Sequence, residues 1–84
     1  MTHYNTSYSN LEGEAKITYA IADIIEWLGS GKKFAELTKA FQAEKPSQRA
    51  FTFYCSLAGV QGYPVIAWWR HCFPSTPWQD EPQD

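Results

Sequence analysis

The Cys and His side chains of this sequence are four, His3, Cys55, His71 and Cys72, and they are its candidates for a zinc site or for a Cys and His catalytic pair. A zinc site needs such ligands in paired spacings, and none is present; His71 and Cys72 are adjacent, so on a helix they project about 100° apart. A Cys and His catalytic pair needs a third group to orient the imidazole and donors for an oxyanion, and the sequence indicates neither. Each cysteine reads instead as a small buried hydrophobe, and His71 as a surface or capping residue. A Cys55 to Cys72 bridge is conceivable, but small secreted scaffolds normally carry more cysteine, so two free thiols are expected. The stretch "GSGKK", residues 29–33, lacks the upstream glycine and the following Ser or Thr that let a loop cradle phosphate. It reads as the end of one helix followed by basic residues. With no convergent acid, base and nucleophile, the chain is not expected to be an enzyme, and no metal or cofactor is expected.

Binding chemistry is better represented. Four Trp, five Tyr and five Phe make up 17% of 84 residues. Each ring buries roughly 150 to 250 Å², more in sum than a core of this size easily hides. Some rings are therefore expected at a surface, where an apolar patch marks a partner or a dimer contact. The densest aromatic region is Tyr63, Trp68, Trp69, Phe73 and Trp78. Two Trp rings at neighbouring positions are not expected to enter one narrow core together. Trp68 is assigned to the core, and Trp69 either to packing under the C-terminal tail or to an intermolecular contact, where Trp is a frequent hot spot. The expected partner-binding surface is Tyr63, Ile66, Trp69, Arg70, Phe73 and Trp78. The expected function is a small non-enzymatic adaptor, inhibitor or regulatory protein that binds another protein or itself, of a type common in phages and mobile elements.

The elements that must position these residues are read from periodicity and caps. Ser9 followed by Glu12 fits a capping box that starts a helix. Ile17, Ile21, Ile24 and Leu28, widened by Ala20 and Ile25, form a helical apolar stripe ending at Gly29-Ser30-Gly31. Lys32 and Lys33 fall beside that helix C-terminus, where cations are favoured. A second helix is expected from about Lys32 to Glu44, with Phe34, Leu37 and Phe41 inward and Pro46 beyond its end.

Residues 49–72 admit two readings. Phe51, Phe53, Cys55 and Leu57 alternate with Thr52, Tyr54 and Ser56 as in a strand, which would make residues 59–62 a hairpin loop. Against that, Pro64 would remove a ladder donor early in the second strand, and Val65 to Trp69 does not alternate. As helices, Ser47 is an N-cap, Phe51, Tyr54, Cys55 and Ala58 share a face, Gly59 ends the helix, and Pro64 lies in the first turn of the next. Val65, Trp68, Trp69 and Cys72 complete its stripe, and Phe53 is left projecting away from the core. The fold expected is mainly α, a small single domain of about four helices; the alternative is α+β, two N-terminal helices on a C-terminal hairpin. Residues 1–10 are assigned to an arm, 11–73 to the domain and 74–84 to a Pro-rich acidic tail.

The helical reading also resembles a helix-turn-helix, with Cys55, Gly59, Val60, Val65 and Trp68 at the positions that the motif fills with small, glycine and apolar residues. The alternative function is therefore a DNA-binding regulator, with Arg49, Gln61, Tyr63 and Arg70 meeting phosphates or base edges. Lys32, Lys33, Lys39 and Lys45 are the further cations. A net charge of −2 supplies no general attraction to phosphate, and Ile66 and Ala67 offer bases only methyl contacts, so nucleic acid is the less favoured partner. No segment approaches the roughly 20 apolar residues of a membrane span, and "MTHYNTSYSN" lacks the pattern of a signal peptide, so no membrane partner and a cytoplasmic location are expected.

Overall fold

A computed structural model describes residues 12–78, which form four α-helices and no strand. We number them α1 (Gly13–Leu28), α2 (Gly31–Glu44), α3 (Gln48–Leu57) and α4 (Tyr63–Cys72). The α+β alternative is thereby corrected. The alternating pattern of Phe51 to Leu57 is carried by a helix that buries only Phe51 and Cys55 and leaves Phe53, Tyr54 and Leu57 outside. The expected inward face of α3 is corrected at two positions, since Tyr54 and Ala58 are exposed.

Helix α1 starts at Gly13, with Glu12 as an extended N-cap that makes no side-chain capping bond. Ser9, the other half of the expected capping box, lies outside the described residues. Glu12 therefore precedes the helix instead of occupying its third position. Gly29 closes α1 in the left-handed region (φ 84°), its amide donating to the carbonyls of Ile25 and Glu26. One residue later Ser30 caps α2, its hydroxyl accepting from the amides of Lys32 (3.1 Å) and Lys33 (3.2 Å). Lys32 and Lys33 thus lie in the first turn of α2, in keeping with the expected start of that helix, and no basic residue occupies the last turn of α1. Lys45 ends α2 with a left-handed backbone (φ 52°), and its amide donates to Phe41 (2.7 Å).

Ser47 caps α3 by accepting from the Ala50 amide at 3.1 Å. The helix ends in a Schellman turn: Gly59 (φ 84°) donates to Ser56, and Val60 donates back to Cys55 at 2.8 Å. Val60 is fully buried behind this turn. Pro64 then enters α4 at its first turn, where its missing amide has no partner to lose.

Helix α4 is the centre of the molecule. Six of its ten residues, Pro64, Val65, Ala67, Trp68, Trp69 and Cys72, are buried. Its closest neighbour is α1, and the small pair Ala20 and Ala67, flanked by Ile17 and Tyr63, lets the two backbones approach. Both adjacent Trp rings are buried, Trp68 at 1% and Trp69 at 4% exposure, which corrects the expectation that the two do not enter one core together; of the two placements left open for Trp69, packing under the tail is the one found. They share the core because they lie on two sides of Phe51. Trp68 stacks on Phe34 (5.2 Å) and meets Phe41 and Phe51 edge-on, while Trp69 meets Phe51, Phe73 and Trp78. Each indole N–H is satisfied, Trp68 by the Thr38 hydroxyl (2.9 Å) and Trp69 by the Thr76 carbonyl (2.8 Å). The start of the tail therefore folds back over Trp69 and finishes the core.

Candidate functional site

The exposed apolar side chains are densest on α3. Phe53 is 63% exposed, Tyr54 53% and Leu57 70%, three large apolar side chains within five residues of one helix. Two exposed aromatic residues, Tyr19 and Trp27, lie elsewhere on α1. Helix α3 is the ridge between two concavities because only Phe51 and Cys55 anchor it inward. On one side, a groove of about 430 Å³ runs between α2 and α3, floored by Phe41 and Trp68 and walled by Leu37, Ala40, Tyr54, Leu57 and Ala58. Glu44 is its one charged lining residue. On the other side, a cleft of about 670 Å³ is lined by Lys16, Thr52, Ser56, Gln61, Tyr63, Ile66 and Trp78, among others. The Lys16 ammonium lies 4.4 Å from the centroid of the Tyr63 ring, and the Thr52 hydroxyl donates to the Gln48 carbonyl (2.9 Å).

The residues singled out from sequence are thus divided. Gln61, Tyr63, Ile66 and Trp78 come together at the cleft. Trp69 is enclosed, and Phe73 is half-buried against it, so neither presents an open face for a partner. Arg70 lies apart, beside Glu14, Ile17 and Thr18, and Arg49 sits on the first turn of α3. Phe53, Tyr54 and Leu57 were missed as a surface. The signal for them was present in the sequence: Phe53 fits no inward face of a helix through Phe51 and Cys55.

Of the groups able to do chemistry, the two thiols are packed as core. Cys55 and Cys72 are free and buried. Burial pushes both thiols up to about 12; the nearby Cys72 adds to the rise at Cys55, and a hydrogen bond with Thr38 offsets part of it at Cys72. A thiol held in this state is a poor nucleophile and a poor metal ligand. His71 is exposed with its ring against Phe34 (5.6 Å), and His3 lies outside the described residues. No group of three or more His, Cys, Asp or Glu is arranged for a metal among the described residues, and no helix there is long and apolar enough to cross a membrane.

The helix-turn-helix positions are filled as the motif requires, with Cys55, Val60, Val65 and Trp68 buried and Gly59 left-handed. The helix that would read bases is nevertheless α4, and six of its ten side chains fill the core. No known protein family, curated protein or solved structure matches this chain.

Proposed function

We propose that this chain is a non-enzymatic binding protein, an adaptor, inhibitor or regulator of another protein, and that α3 presents the contact. The carrying observation is the exposure of Phe53, Tyr54 and Leu57 as one continuous apolar strip. An isolated exposed apolar side chain is ordinary, whereas three together on the least anchored helix leave a patch that water penalises until a partner covers it. Two free thiols fit a reducing compartment, and the reading places the protein in the cytoplasm.

The test is capture from extract of the native host on immobilised protein, comparing the wild type with Phe53→Glu and Leu57→Glu. Both positions face solvent, so melting should shift by no more than about 0.5 kcal/mol of stability. The expected result is one specific partner captured by the wild type and lost from both variants. A partner retained equally by both variants would remove α3 as the contact.

DNA binding is the second reading, and the observation favouring it is the completed turn between α3 and α4. The burial of α4 weighs against it, as does the placement of Arg49 and Arg70 on different helices. Mixed duplex DNA at low salt discriminates the two: binding that weakens steeply with added salt would favour the regulator.

A further inference from the structure

The groove between α2 and α3 has a length, a polarity and an openness that together define its occupant. Along α2 its lining is Leu37, Ala40, Phe41 and Glu44, at i, i+3, i+4 and i+7, so it extends over about 10 Å, two helical turns. Tyr54 and Leu57 form the opposite wall and are more than half exposed, so the groove is open along its top. A small molecule there would keep much of its surface in water, whereas ligand pockets enclose most of theirs. An amphipathic helix matches two turns of open apolar groove, because its own side chains at i, i+4 and i+7 repeat at the same pitch.

The groove is also electrically asymmetric. Leu37, Ala40 and Phe41 are apolar, and Glu44 stands at the far end, in the last turn of α2. The α2 dipole places partial negative charge at that same end. Glu44 makes no ion pair with another described residue. Lys45 follows it but does not line the groove.

We propose that this groove seats an amphipathic helix of the partner protein, with apolar side chains between Leu37 and Leu57 and a Lys or Arg directed at Glu44. The proposal rests on the protein-binding reading and gives that partner its chemistry. The probe is a fluorescein-labelled helical peptide of about 15 residues, long enough to populate helix. It carries leucines at i, i+4 and i+7 and one terminal lysine; its twin has glutamate in place of the lysine. By anisotropy, the lysine peptide should bind about three-fold more tightly than its twin, the scale of an exposed ion pair. Glu44→Lys should invert that order. Ala40→Arg, which fills the groove and places a guanidinium four residues before Glu44, should weaken both peptides about tenfold or more. Ala43→Arg, on an exposed part of α2 outside the groove, should leave both unchanged.

Absence of saturable binding by either peptide overturns the proposal, as does an order of affinities that Glu44→Lys does not invert. Concentration-dependent dimerisation that Ala40→Arg abolishes would assign the groove to a second copy and overturn it as well. Capture of the host partner separates this failure from failure of the broader reading. A partner lost with Phe53→Glu but indifferent to Ala40→Arg keeps α3 as the contact and removes the groove helix; a partner indifferent to both removes both.

Discussion

At the scale of single residues, Thr38 links the interior more than its size suggests. Its hydroxyl accepts from the buried Trp68 indole and also bonds the Cys72 thiol. Thr38→Val keeps the shape and leaves an indole N–H in the core without an acceptor, a change that should cost about 1 to 3 kcal/mol in denaturant unfolding. The thiols give a pH signature. Folding raises Cys55 and Cys72 from 9.0 to about 12, so in the window between these values the unfolded chain loses protons that the native chain keeps. The stability this contributes is fully present below about pH 9 and is lost as pH rises towards 12. Unfolding curves recorded through that window should show the decline, and replacing both cysteines with alanine should flatten it. The sequence marks both cysteines as buried hydrophobes because their types and spacing suit nothing else. It does not mark Thr38, whose partner stands 30 residues away on a helix whose packing is set only by tertiary structure.

At the scale of elements, the helices were legible wherever a local device ends them. Gly29, Ser30, Ser47, Gly59 and Pro64 each act through a cap, a left-handed backbone or a missing amide that depends on neighbours in sequence alone. Ser47→Ala tests this most cleanly, since it removes the single side-chain cap of α3. About 1 kcal/mol of stability should be lost, with hydrogen exchange rising first over Gln48–Leu57. The strand-like alternation of Phe51 to Leu57 kept a hairpin open beside the helical reading that the structure bears out, because period two and period 3.6 agree at Phe51 and Cys55. What decides between them is Phe53: in a strand it joins the core, and in this helix it faces solvent. The start of α1 was legible only as a region, because Glu12 can serve either within a capping box or as the cap itself.

At the scale of the whole molecule, the arrangement turns on α4. Wrapping α1, α2, α3 and the tail around one short helix hides both Trp68 and Trp69. Trp69, which the sequence leaves between tail packing and an intermolecular contact, becomes interior, and α3 stands outward as a thinly attached ridge. Sequence composition identified a surplus of apolar side chains but not its location, since the surplus is whatever remains after the central helix has taken its neighbours. The central claim is that this remainder, the strip Phe53, Tyr54 and Leu57 with the groove beside it, is where the protein meets its partner. Backbone amide shifts mapped by NMR while the captured partner is added test it most directly. The account predicts perturbations concentrated in Leu37–Glu44 and Gln48–Leu57; perturbations centred instead on Tyr63, Ile66 and Trp78, with α3 silent, would contradict it.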